Sequence, residues 1–143
     1  MSEKFIVGAI ETCSLPDIGI HELNVRIDTG AKTSSLHVDE VAHFRKKGKP
    51  WVSFDIHPNI HNVDEVVRCE SPVRDIRRIK SSNGEVEERY IIRTPLTLGD
   101  QTWAIDISLT DRSEMSFLML LGREGMGSKL LVDPSETYLL NQD

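Results

Sequence analysis

Residues 26–37 read RIDTGAKTSSLH, which sets an acid, Asp28, at the end of an apolar-alternating run with Thr29, Gly30 and Ala31 directly behind it. A carboxyl group so placed could serve as general base toward a water or as general acid toward a leaving group. Hydrolysis by carboxylates alone needs two of them sharing one proton, so Asp28 raises the question of where its partner lies. The same residues also have a structural use, because an aspartate ahead of Thr-Gly satisfies its own turn by accepting backbone N–H bonds. On these four residues alone both readings stand.

Other chemistry is thinner. A zinc hydrolase of the usual kind carries two histidines one helical turn apart beside a glutamate, and HExxH is absent. The histidines are His21, His37, His43, His57 and His61. His57 and His61 are spaced i, i+4, but Pro58 and Asn59 between them disfavour a shared helix face, so only an extended loop could bring both to a metal. No GxxxxGK[ST] loop is present, and the glycines of GREGMGSK are wrongly spaced to cradle phosphates. The expectation is a chain with no metal and no cofactor.

The elements that must hold Asp28 read as strands. KFIVGAIETCSL mixes β-branched residues with a glycine, a first strand with a bulge or tight bend. Pro16, Asp17 and Gly19 form a turn cluster, after which Leu23, Val25 and Ile27 alternate with polar residues at the period of a half-buried strand. Beyond the Asp28 loop, Leu36, Val38 and Val41 continue the apolar positions, and a turn at Gly48 leads into a strand with Val52, Phe54 and Ile56 on one face. Asn83-Gly84 is a type I′ hairpin signal, and Gly99-Asp100 marks another hairpin ahead of Trp103, Ile105 and Ile107. FLMLL is a continuous apolar run, as in a strand buried on both faces, and Gly122 begins a stretch long enough for one or two helical turns. Closely spaced strands with few helical windows predict an all-β fold of barrel type.

At 143 residues the chain is expected to be a single domain over 1–143. The apolar fraction of 38% is modest, so part of the stability could come from surface buried between subunits. A net charge of -6 argues against general attraction to nucleic acid or anionic lipid, although a local patch can oppose the total. No apolar run is long enough to span a bilayer, and the first residues lack the pattern of an export signal, so the expected compartment is the cytoplasm. Cys13 and Cys69 are accordingly expected to be reduced and partly buried.

With an apolar residue ahead and Ala31 behind, the IDTGA turn resembles the active-site turn of the retropepsin-like aspartic peptidases. That family carries a second signature far downstream, two apolar residues and a glycine, often with arginine next, just before a helix. Here it is Leu120, Leu121, Gly122 and Arg123. Between the two signatures the family has a β-hairpin flap, and RRIKSSNGEVEER falls in the right order, with Asn83 and Gly84 at its tip. DTGAKTSSLH followed by LLGREGM is closer still to a bacterial subfamily labelled ATP-dependent zinc proteases, whose members are associated with RimK-type ligases that add glutamate to protein tails. Neither zinc nor ATP in that label is supported by a motif in this chain.

The resemblance implies a closed acid-protease barrel with a flap hairpin and one short helix. It also implies a homodimer, since the chain holds one Asp-Thr-Gly and two-fold symmetry would bring Asp28 of each subunit to the axis. Thr29 would supply a hydroxyl across that axis, and Gly30 the tight turn. Ala31 cannot donate to the carboxylate as a serine would, so activity nearer neutral pH is expected. Ala31, Lys32, Arg77, Arg78, Asn83 and Gly84 would meet a peptide or protein substrate, and Leu120, Leu121 and Gly122 would pack beneath the turn. Arg123 would fix the adjoining helix or the dimer through an ion pair. Lys32 departs from the small or acidic residue common at its position; it could favour ionised carboxylates, serve the turn or contact an acidic substrate. The cations Arg74, Arg77, Arg78 and Lys80 read either as a solvated strand edge or as selection for an acidic, glutamate-rich tail, with Glu85, Glu87 and Glu88 opposing the second reading. A RimK-type glutamate ligase is the expected protein partner; nucleic acid and membrane are not expected. The competing readings are a non-catalytic peptide-binding or regulatory module on the same fold, and a metal-dependent protease built on His57 and His61.

Overall fold

The computed structural model describes residues 4–57, 65–80, 84–110 and 117–141, so the expectations placed on Asn83 and His61 lie outside the described residues. The break at Gly8 and Ala9 divides the first apolar run into β1 (Phe5–Val7) and β2 (Ile10–Leu15). Pro16 at the head of a 3-10 turn (Pro16–Ile18), closed by a left-handed Gly19, reverses the chain into β3 (Ile20–Ile27). After the Asp28 turn come β4 (Ser34–His37), β5 (Asp39–Lys46), β6 (Lys49–Ile56) and β7 (Val67–Pro72). The second half adds β8 (Asp75–Lys80), β9 (Val86–Leu98), β10 (Gln101–Thr110) and β11 (Met119–Leu121). A single turn of helix, α1 (Arg123–Met126), precedes β12 (Leu130–Val132), and a second 3-10 turn (Leu139–Asn141) ends the described chain.

Six strands close into a barrel in the order β10-β4-β11-β3-β2-β9, with β9 pairing back onto β10 and β8 extending from β9. Strands β5, β6 and β7 form a separate antiparallel sheet, and β1 pairs parallel with β12. The fold is thus nearly all-β with one short helix, as the strand patterning and the resemblance both require. Alternation decides which side chains fill it: Leu23, Val25 and Ile27 of β3 and Val52, Phe54 and Ile56 of β6 are buried, and of the residues between them only Ser53 is buried too. Val41 departs from the expected pattern. A register shift between Asp39 and Ala42 turns it to the exposed side of β5.

The hairpin at Gly99-Asp100 has its two-residue turn, with Leu98 paired to Gln101. Trp103 is half-buried at its start, while Ile105 and Ile107 reach the core. Both cysteines are free and buried, and burial pushes the Cys13 thiol up to about 12 and the Cys69 thiol up to about 11. Among the described residues, no helix is long and apolar enough to cross a membrane.

Candidate active site

Asp28 follows the last residue of β3 and is half-buried, while Thr29 and Gly30 are exposed. Its position has a local cause. Strand β11 lies parallel to β3, with Leu121 in register with Ile27, and the Asp28 N–H extends that ladder by donating to the Leu121 carbonyl at 2.9 Å. The Gly30 N–H donates to Asp28 Oδ1 at 3.0 Å, and the Ala31 N–H to the Asp28 carbonyl at 3.2 Å. Structural and chemical uses of the carboxyl therefore coexist. One oxygen closes the turn, and among the described residues the other accepts no hydrogen bond.

A second chain segment straps this turn from beneath. Arg123 N–H donates to the Ala31 carbonyl at 2.8 Å and Glu124 N–H to the Lys32 carbonyl at 3.0 Å. The buried Ser34 hydroxyl accepts the Gly122 N–H at 3.0 Å, and the Ser34 carbonyl accepts the Ser108 hydroxyl. A Cβ on Gly122 would stand 2.8 Å from the Thr33 carbonyl carbon and 3.0 Å from the Ala31 carbonyl oxygen. The two backbones cross at a distance that leaves no room for a side chain. Trp103 Nε1 donates to the Gly125 carbonyl at 2.8 Å and fixes α1 to β10. Within the described chain Arg123 makes a hydrogen bond to backbone and no ion pair. Its Nη1 donates to the Thr29 carbonyl at 3.0 Å, and among the described residues it meets no carboxylate. Leu121 is fully buried beneath the turn, while Leu120, one residue earlier, alternates outward.

Beside the turn opens a cleft of about 690 Å³, walled by Ala31, Lys32 and Leu120 on one side and by the β8 arm, Arg77 to Lys80, on the other. Ala31, Lys32, Arg77 and Arg78 of the expected substrate residues thus come together. Asp28, Thr29 and Gly30 adjoin this cleft without lining it, and Gly84 lies in the β8–β9 connection at φ 87°. The hairpin arms pair Arg77 with Arg89 and Arg78 with Glu88, so Arg77 and Arg89 share one face and Arg78 is directed to the other.

Charges on the cleft face are largely balanced internally. Arg77 Nε donates to Asp75 at 3.0 Å, its Nη2 lies 3.7 Å from Asp106, and Arg93 reaches the same Asp106 at 3.0 Å. Arg89, buried on that face, pairs with Glu87 at 3.2 Å. The Arg77 guanidinium, followed by the Ile76 N–H, holds the Asp75 carboxyl below its usual range, and Asp75 in turn raises Arg77. Arg78 and Lys80 project from the opposite face of the edge strand β8 yet still line the cleft with Lys32, and none of the three makes an ion pair with a described residue.

The structure adds residues that sequence patterning did not single out. Ser35, Ser108 and Thr110 give the cleft hydroxyl groups, and Thr110 Oγ1 is buried without a partner among the described residues. The signal was present as the alternating hydroxyls of Ser108 and Thr110 in one strand. His57 Nε2 lies 2.9 Å from Asp39, and among the described residues, which do not include His61, no three His, Cys, Asp or Glu side chains group as metal ligands.

Residues 6–143 match the family described as "RimB-like: Retropepsin-like aspartic endopeptidase RimB". Curated relatives carry a different name. A protein of Shewanella halifaxensis named "Probable alpha-L-glutamate ligase" is 48% identical over 139 residues, and one of the same name from Parasynechococcus marenigrum is 43% identical over 140. These alignments cover 97% and 98% of this chain and 30% of each relative, so the chain spans less than a third of their length. Among solved structures, a Legionella pneumophila protein of unknown function, Lpg0085, superposes with a TM-score of 0.79 at 27% identity, covering 94% of this chain and 97% of that one.

Proposed function

The chain belongs to the RimB-like family of retropepsin-like aspartic endopeptidases, and from that premise we propose that it hydrolyses peptide bonds as a homodimer with Asp28 of each subunit as the catalytic pair. The observation that carries this reading is the Asp28 turn, where the carboxyl is held by the Gly30 N–H, strapped from below at Gly122, and left with one oxygen free beside a cleft. A single chain supplies half of the needed chemistry, and a two-fold axis supplies the rest.

With one proton shared by the pair, the ionised carboxylate takes a proton from water as the water oxygen adds to the scissile carbonyl carbon. The protonated carboxyl polarises the carbonyl oxygen and gives up its proton to it. Collapse of the adduct breaks the C–N bond, with a proton passing to the departing nitrogen. The Arg123 bond to the Thr29 carbonyl and the Gly122 crossing keep the turn rigid, so little reorganisation is needed at the moment of reaction.

The substrate class that the cleft supports best is an acidic or glutamate-modified protein tail. Lys32, Arg78 and Lys80 offer positive charge without acidic partners, and Thr110 offers a spare hydroxyl to a bound chain. Relatives named as glutamate ligases support a RimK-type ligase as the partner that supplies such tails. Those names also favour a second reading, in which the fold holds a tail for a ligase without cutting it. The test is cleavage of glutamate-rich and neutral peptides by wild type and Asp28→Asn, with dimerisation measured for both. Asp28→Asn is expected to lower cleavage at least about a thousandfold while the dimer persists. Cleavage that survives the substitution would remove the aspartic mechanism; tail binding with no cleavage by either protein would favour the holding module. Charge reversal at Arg77 and Arg78 separates the substrate question, since acidic selection requires acidic peptides to suffer more than neutral ones.

A further inference from the structure

The strongest concentration of charge in the chain plays no part in the Asp28 site. Arg45, Lys46, Lys47 and Lys49 occupy four of five consecutive positions at the tip of the β5–β6 hairpin, in a chain whose net charge is -6. The hairpin makes two local sacrifices to carry them. Lys46 and Lys49 are directly paired across the strands, an arrangement that like charges destabilise. Lys47 adopts φ 52° ahead of Gly48 at φ 77°, so a lysine holds a left-handed turn position suited to glycine, asparagine or aspartate. Local rules broken together, offset only by a hydrogen bond of 3.3 Å from Arg45 Nη1 to the Gly48 carbonyl and by the contacts of Lys46 with Glu70 and Trp51, mark a position retained for something other than stability. Arg45, Lys47 and Lys49 make no ion pair with a described residue, and Lys46 reaches Glu70 only at 3.9 Å.

The face that bears Lys46 and Lys49 continues into aromatic surface. Phe44 and Trp51 are paired in register with ring centroids 6.4 Å apart, both half-buried, and Lys46 Nζ sits 4.5 Å from the Trp51 ring. Pro72 of β7 flanks Trp51 on the same face. We propose that this hairpin is a docking surface for single-stranded nucleic acid, with phosphates held by Lys46, Lys47 and Lys49 and a base stacked at Phe44 and Trp51. Cations beside a half-open aromatic pair are the combination that single strands use. An acidic peptide has no need of the aromatic pair, and an anionic membrane favours an apolar tip, where this hairpin has Lys47 and Gly48.

The test is fluorescence anisotropy of labelled oligo(U) and oligo(dT) with the full chain, the two arms separating RNA from DNA as the source of the single strand. Binding is expected to weaken about twentyfold between about 50 and about 200 mM salt if three phosphates are neutralised. Combined Lys46→Glu and Lys49→Glu should lower affinity more than about tenfold, and Trp51→Ala at least about fivefold. Because those variants could misfold, Lys47→Gly is the decisive companion: it removes a charge and relieves the left-handed lysine, so it should raise thermal stability while weakening binding. Lys4→Glu, which reverses a lone exposed cation outside the hairpin, should leave affinity unchanged. Affinity untouched by Lys47→Gly, or no binding of either oligonucleotide at about 50 mM salt, overturns the proposal. Equal binding of a poly-glutamate peptide that is insensitive to Trp51→Ala, or sedimentation with anionic phosphatidylserine vesicles but no oligonucleotide binding, does so as well.

Discussion

Gly122 and Ser34 show, at the scale of single residues, that the acid depends on neighbours far away in sequence. Any side chain at Gly122 must push apart the backbone at Thr33 and Ala31, since its Cβ would stand 2.8 Å from the Thr33 carbonyl carbon. Gly122→Ala is therefore expected to cost about 2–3 kcal/mol, as overpacking in a closed site does, and urea unfolding would register it as a lower midpoint with unchanged slope. Ser34→Ala removes the acceptor of the buried Gly122 N–H without adding bulk, at an expected cost of about 1–3 kcal/mol. If Ser34→Ala unfolds at the same denaturant concentration as wild type, the strap is not what holds the turn. Asp28 and Gly122 were legible because each stands in a compact motif. Ser34 was not, because its hydroxyl looks like that of Ser35 and its partner lies 88 positions away.

At the scale of elements, β2 holds the least expected feature of the fold. Its buried face carries Glu11, Cys13 and Leu15, so a glutamate takes a core position that alternation alone would give to an apolar residue. The Glu11 carboxyl accepts the Gly8 N–H at 2.7 Å, the Leu139 N–H at 3.0 Å and the Leu140 N–H at 3.3 Å, tying the final 3-10 turn to the start of the barrel. Glu11→Ala leaves those donors without their acceptor and should destabilise the protein by about 2–4 kcal/mol. Hydrogen exchange should then quicken at the Leu139 and Leu140 amides before the barrel strands are affected, and uniform quickening would mean that Glu11 supports the core rather than the terminal segment. The hairpins β5–β6 and β9–β10 could be read from sequence because their turn residues and alternation are contiguous. The parallel pairings of β11 with β3 and of β4 with β10 could not, because nothing local specifies which distant strand lies alongside. Those pairings are what deliver Leu121 to the Asp28 turn.

For the whole molecule the decisive quantity is the number of carboxylates that meet, and one Asp-Thr-Gly per chain makes it a question of assembly. Symmetry turns this into a number that can be measured. Suppose wild-type and Asp28→Asn chains carry different affinity tags and are refolded together in equal amounts, with pairing confirmed by tandem purification. Random pairing makes about one quarter of the dimers wild type on both sides and about one half mixed. If the proton-sharing pair is the catalyst, mixed dimers are inactive and the specific activity falls to about one quarter of that of pure wild type. If each subunit cuts unaided, the activity is about one half, because every wild-type chain keeps working whatever its partner. A tail-holding module gives no cleavage to divide, yet its peptide binding would follow the number of intact clefts rather than the square of the wild-type fraction. The quarter and the half differ enough for an ordinary peptide assay to separate them, and a value near one half would dissolve the two-fold site while leaving the barrel and its cleft as described.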